Sequence, residues 1–240
     1  MKVCVWYLYH SGVAVETEKS FLVFDYWRDT PAGGLAAGVI DPKEIAVKNK
    51  KVIAFSSHNH PDHYNPVILG WPKQIPGAEL VLSDDIPACP GALMVGQDRE
   101  YDHAGIHIQT LVSTDEGVAF LLKADGLTIY HAGDLNWWHW AGEPGDFNEK
   151  MARDYKAQID RLRGVKIDLA FLPVDPRLRG QYAWGADYLM RTAQVKQMVC
   201  IHFGDRPQAI EELIQDPVSQ PYRDRILPLA ERGQMAELTL

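Results

Sequence analysis

Three of the chain's nine histidines fall within six residues, in the segment His58-Asn59-His60-Pro61-Asp62-His63. Imidazole nitrogen and carboxylate oxygen are ligands that suit zinc, and also manganese or iron. In extended backbone, side chains at i and i+2 point to the same side, so His58 and His60 can converge on one cation. A turn beyond them lets Asp62 and His63 address a second cation nearby. Pro61 fixes its own φ and pushes His60 away from helical geometry, which favours that path. A polar surface loop that happens to be His-rich is the bland alternative, and the fit to metal-ligand chemistry weighs against it.

The elements that must hold this segment are legible from hydrophobic pattern. Residues 51–55 (KVIAF) form a compact apolar strand that runs directly into it, the position where α/β architectures place their sites. Upstream, residues 3–9, 13–16 and 21–24 are β-favouring runs separated by turns. Asp41-Pro42 supplies an N-cap and a first-position proline for a short helix over 43–47. Further strands are expected at 80–82, 106–112, 118–123 and 127–130, with Asp125-Gly126 as a tight hairpin between the last two. The second half changes period. Phe147, Met151, Tyr155, Ile159 and Leu162 recur at helical spacing, with Asp146 as the expected cap and Gly164 as the stop. A buried strand over 167–172 ends at Pro173, followed by a helix over 186–196, a strand over 198–201 and a helix over 207–214. Strands in runs, then helix and strand in alternation, predict an α/β fold of two sheets flanked by helices, in a single domain spanning residues 1–240.

Composition bounds the function. With 46% hydrophobic residues and 23% charged residues, the 240-residue chain has material for a sizeable core. A formal net charge of -8 offers no excess of Lys and Arg to release counterions from a phosphate backbone, which disfavours nucleic acid and favours a small-molecule substrate. Cys4, Cys89 and Cys200 form neither a CxxC pair nor a dense framework, so a reduced, cytoplasmic setting is the simpler expectation. No run approaches the ~20 apolar residues of a membrane span. The sequence is compatible with a homo-oligomer and does not specify one.

These residues resemble the metallo-β-lactamase superfamily, whose signature is HxHxDH after a strand. Tyr9-His10-Ser11 followed by Phe24-Asp25 resembles the branch that includes ascorbate-6-phosphate lactonase-like and N-acyl-phosphatidylethanolamine phospholipase-like proteins. Asp25 matches the first family motif, His131-Ala132-Gly133-Asp134 the Gly-Asp motif, and Cys200-Ile201-His202-Phe203 the late strand-end histidine. The resemblance implies an αββα sandwich with two divalent cations, zinc first among them, at one edge of the sheets. It implies His58 and His60 on the first cation, Asp62, His63 and His202 on the second, and Asp134 between them. The family's third motif adds a histidine to the first position, and here Ser113 stands in its place. Asp115 or Ser113 could supply an oxygen, His103 or His107 could reach in, or the first position is weak. Asp115 is preferred, because a carboxylate is the better ligand.

Other residues carry two readings. His10 could buttress the metal loop or touch substrate, and His131, three residues before Asp134, could be structural or line the site. In Trp137-Trp138-His139-Trp140 the rings could be core, but Trp138 and His139 are favoured as pocket wall. Arg177, in Asp175-Pro176-Arg177, could clamp an anion or lie solvated. The chemistry implied is a metal-dependent hydrolase, in which a metal-bound hydroxide attacks a small ester, lactone or phosphodiester and Asp62 orients the nucleophile and passes the proton. The alternatives are an RNase Z-like phosphodiesterase, or a non-catalytic metal-binding or sensor protein on a decayed hydrolase scaffold. A flavodiiron-type oxidoreductase is disfavoured by His60, where that branch has Glu.

Overall fold

A computed structural model describes residues 1–240. The first strands, β1 (Lys2–Tyr9), β2 (Gly12–Glu16) and β3 (Ser20–Phe24), form an antiparallel meander. Helix α1 (Pro42–Ala46) starts where Asp41 accepts a hydrogen bond from the Lys43 amide. Strand β4 (Lys51–Ser56) lies parallel to β3, and after α2 (Trp71–Gln74) the strands β5 (Glu79–Ser83) and β6 (Leu93–Val95) extend the sheet.

The second sheet begins with β7 (Glu100–His103), β8 (Ile106–Val112), β9 (Val118–Ala124) and β10 (Leu127–His131), all antiparallel. It continues through α3 (Gly145–Asp160), β11 (Lys166–Pro173), α4 (Trp184–Thr192), β12 (Gln194–Ile201), α5 (Gln208–Gln215) and β13 (Ile226–Leu227), with β10 to β13 parallel. Strand β14 (Met235–Thr239) crosses back to pair with β1. The two sheets run β14-β1-β2-β3-β4-β5-β6 and β13-β12-β11-β10-β9-β8-β7.

Period-2 alternation stacks the layers. Leu22 and Phe24 of β3, with Ile53 and Phe55 of β4, face the other sheet and join a core with Phe120, Phe171 and the apolar faces of α3, α4 and α5. Phe21, Val23, Val52 and Ala54 point outward beneath Ile45 of α1 and Trp71 of α2. The order of layers is therefore helix, sheet, sheet, helix. Each such large apolar side chain, fully buried, contributes about 1.5–3 kcal/mol relative to exposure. No helix is long and apolar enough to cross a membrane.

Two expectations are corrected. The helix expected over 186–196 stops at Thr192, because Gln194 and Val195 pair with Lys166 and Ile167 of β11. Helix α3 starts at Gly145, so Asp146 sits in its first turn rather than at the cap, where its charge still complements the helix dipole.

The parallel strands bring their C-terminal ends to one edge, and the loops leaving β3, β4, β10, β11 and β12 carry the polar residues there. Two glycines let those loops close up. Gly117 (φ 64°) and Gly133 (φ 51°) both pack on Ser57; a Cβ at Gly117 would collide with the Ser57 carbonyl, and one at Gly133 would lie 2.7 Å from Ser57 Cβ. Ser57 immediately precedes the histidine segment.

Candidate metal centre

Strand β4 delivers Ser57 and His58 buried, and the chain then turns, with the His63 amide donating to the His60 carbonyl. Two groups of ligand atoms result, each with all members within 4.8 Å of one another. One is His58, His60 and Asp134; the other is His10, Asp62, His63 and His202. Asp134 lies between them, with Oδ2 3.6 Å from His58 Nε2 and Oδ1 3.2 Å from His63 Nε2 and 3.3 Å from His202 Nε2.

The chemistry of these atoms fits divalent cations. His63 Nε2, His10 Nε2 and Asp134 Oδ1 are buried and none has a hydrogen-bond partner. Buried polar atoms are nearly always satisfied, and leaving one unpaired costs about 1–3 kcal/mol. His63 Nε2 and Asp134 Oδ1 lie 3.2 Å apart without the alignment of a hydrogen bond. Their spacing also matches the ~3.3 Å edge of a tetrahedron built from metal–nitrogen bonds of about 2.0–2.1 Å.

A second set of residues fixes the imidazoles. Asp25 is fully buried; its Oδ2 is 2.8 Å from His63 Nδ1, and its carboxylate accepts from Ser57 N and Ser57 Oγ at 2.8 and 2.7 Å. Ser57 Oγ is 3.0 Å from His58 Nδ1. Asp175, also buried, holds His202 Nδ1 at 3.0 Å and accepts from Arg177 Nε. Such outer partners set tautomer and ring direction and turn Nε2 toward the ligand groups; His58 Nε2 also lies 3.0 Å from His60 Nδ1. His10, Asp25 and His202 all sit at positive φ (56°, 45° and 65°), a costly backbone state for these residues that concentrates at functional sites. Asp175→Asn is expected to weaken cation affinity about 10–100-fold while leaving the fold intact. Competition against a chelator measures it, and an unchanged affinity would remove Asp175 from the site.

Charge in the site is tightly coupled. Burial opposes a charged His63, but Asp134 and Asp25 outweigh it and hold that imidazole well above its ordinary range. Burial likewise opposes His202, which Asp134 and Asp175 raise to about 9. His58 goes the other way, lowered to about 4 by burial and by the neighbouring His63 charge. Burial would lift Asp134, yet His63 and His202 keep it well below the usual carboxylate range. A cation must therefore displace protons from His63 and His202. Metal affinity is expected to climb between pH 6.5 and about 9. In chelator the sign reverses: the raised pKa values stabilise the fold fully below pH 6.5, and that contribution is lost as pH rises through about 9. Calorimetric titration in buffers of different ionisation enthalpy reads the proton release, and flat affinity across this window would contradict it.

A cavity of about 300 Å³ opens over the centre, lined by His60, Asp62, Asp134 and His202 and walled by Trp138, Trp140, Phe147, Met151 and Arg177. Trp138, favoured as pocket wall, and Arg177, for which a solvated loop position was the other reading, both line this cavity. Two other expected pocket residues do not. His131 is fully buried beneath the site, stacked on Phe24 at 5.0 Å, with Nε2 3.0 Å from the Ser11 carbonyl and Nδ1 accepting from Gly133 N. It ties the β1–β2 turn to the Gly-Asp loop. His139 turns away from the cavity and packs on Trp184 at 4.9 Å. Asp115 lines the cavity but stands outside the tight ligand clusters. Its neighbour Glu116 comes nearer the first cluster, 3.5 Å from His60 Nε2. Ser113 accepts from Asp115 N, while His103 and His107 pair with Glu79 and Asp102 instead of the centre. Two contributors had weak sequence signals. Asp175 stands in the sequence only as a neighbour of Arg177, and His10 carries the readings of buttress or substrate contact, with no sign that its ring lies against His202.

No protein-family model matches the chain, and neither does any curated protein sequence. Solved structures do match. The chain is similar to Igni18, a metallohydrolase from Ignicoccus hospitalis, at 16% identity and a TM-score of 0.65 over all of both chains. It is similar to the metallo-β-lactamase fold protein YhfI from Bacillus subtilis at 15% identity and a TM-score of 0.58, over 98% of this chain and 99% of that one. The diiron β-hydroxylase CmlA from Streptomyces venezuelae matches all of this chain with 54% of its own, at 11% identity and a TM-score of 0.58. The fold is that of the metallo-β-lactamases.

Proposed function

We propose that this protein is a hydrolase using two divalent cations, zinc foremost, on a small ester, lactone or phosphodiester. The observation that carries the proposal is the convergence of unpaired, buried His63 Nε2, His10 Nε2 and Asp134 Oδ1 beside Asp62 and His202, which with Asp134 line a cavity walled by apolar rings. His58, His60 and Asp134 would hold one cation; Asp62, His63, His202 and Asp134 would hold the other. Bound there, the two cations would supply an acidified water and a Lewis acid for the oxygen of the scissile group.

The chain's own residues do the rest. Asp62 is partly exposed at the cavity floor, and although burial works against its charge, His10 and His63 keep it ionised far below the usual carboxylate range. An ionised carboxylate orients a water by accepting a hydrogen bond from it, and by transient protonation can pass a proton to the leaving group. Trp138 and Trp140 stack at 6.0 Å with their planes nearly parallel and form an apolar wall. Arg177, 5.6 Å above the Trp140 ring and pinned by Asp175, offers its remaining donors to an anionic substituent. A cavity of this volume suits a small molecule rather than a polymer.

A panel of aryl esters, lactones and phosphodiesters, assayed on zinc- and manganese-loaded protein, tests the reading. Turnover lost on chelation and regained on reloading supports it. One tightly held cation with no turnover on the panel would favour the sensor alternative, which the missing third-motif histidine supports. Oxygen consumption by the iron-loaded protein, without hydrolysis, would place it instead with oxidative chemistry, for which imidazole and carboxylate ligands are equally suited.

A further inference from the structure

The two ligand groups are unequal. The first has two imidazoles and a carboxylate, His58, His60 and Asp134, and lacks the third imidazole whose place Ser113 takes. The second has three imidazoles, from His10, His63 and His202, with Asp62. Asp134 Oδ1 reaches this group too, so five donors surround one position.

His10 is built into that position. The β1–β2 register shifts between Tyr7 and Tyr9, a bulge that re-aims the strand end. The chain then turns through His10 at φ 56°, with its amide held by Tyr7 Oη at 2.8 Å. Its carbonyl accepts from His202 N at 3.0 Å, which locks the two loops together, and their rings lie 4.0 Å apart. His10 Nε2 is 3.3 Å from Asp62 Oδ2, yet makes no hydrogen bond and is buried. This nitrogen lies within 4.8 Å of the ligand atoms of Asp62, His63 and His202.

Resting on the two-cation reading, we propose that His10 is a ligand of the second cation, making that position a closed one that fills first. Structural zinc positions are closed by protein ligands, whereas catalytic ones keep a place open. Here the first position, with three protein ligands, keeps the place open toward the cavity. The missing third-motif imidazole is thus not replaced where it is lost; an imidazole from a different loop strengthens the neighbouring position.

Binding measurements separate this inference from its parent. His10→Gly accepts the positive φ without strain and leaves a space at the rim of a second cavity, which His10 lines with Trp27 and Phe203. The wild-type protein is expected to bind two cations of unequal affinity. In His10→Gly the tighter affinity should fall at least ~100-fold, more than the loss of an outer partner causes. Added imidazole should restore it, and the weaker affinity should hold. His10→Asn, which tolerates the same backbone, serves if the glycine variant does not fold. X-ray absorption of the wild-type protein carrying one equivalent of zinc should count three imidazoles. Two imidazoles, or unchanged affinities and Co²⁺ spectra in His10→Gly, would overturn the role of His10 alone. A wild-type protein that binds no cation would overturn the parent reading and this one with it.

Discussion

Asp134→Asn is expected to empty both cation positions and reduce hydrolysis to background. Asp134 is the one residue that reaches both groups, at 3.6 Å from His58 and at 3.2 and 3.3 Å from His63 and His202. An amide keeps the volume but removes the charge that two dications share, so affinity should drop at least ~100-fold at each position. The metal-free protein should suffer as well. His63 and His202 would lose the carboxylate that balances them in a buried site, and breaking a buried pair from one side costs about 3–5 kcal/mol. Metal content and thermal melts in chelator read these effects separately. A variant that still bound two cations would show that Asp134 does not bridge them.

Asp62→Asn is expected to behave in the opposite way, keeping metal and losing turnover. Four other donors surround the second position, His10, His63, His202 and Asp134, so the loss of one charge leaves a competent ligand set. Of the donors at this position, Asp62, Asp134 and His202 line the cavity; Asp134 is fixed between the two groups, which leaves Asp62 as the carboxylate free to relay a proton. Removing a general acid–base group typically costs about 10²–10⁴ in rate. The loss should fall on kcat, with KM little changed. A kcat equal to wild type would exclude Asp62 from the mechanism.

What could be read in advance followed from how local each signal is. His58, His60, Asp62 and His63 declare themselves because one short segment holds them all, and a strand precedes it. Asp134 and His202 came from resemblance at strand ends, and parallel pairing of β10, β11 and β12 brings those ends together. His10 stayed ambiguous because its role depends on a bulge and a left-handed turn, which leave no hydrophobic pattern. Asp175 drew no reading of its own because nothing local reveals that its partner lies 27 residues later in His202.

The elements missed have the same origin. Strand β14 alternates only between half-buried and exposed residues, and exists because β1 offers it a free edge. The start of β12 was assigned to the preceding helix, since tertiary pairing with β11 outweighed a helical run. His131 and His139 were placed by proximity in sequence to Asp134. One is instead spent on the Ser11 carbonyl and the other on Trp184.

The central claim is a pair of cations sharing Asp134, and anomalous diffraction from metal-soaked crystals tests it most directly. The account predicts two peaks per chain, one within bonding distance of His58 and His60, the other of His10, Asp62, His63 and His202, with Asp134 touching both. A single peak that Asp134 does not reach, or no peak in crystals soaked with zinc, would contradict it.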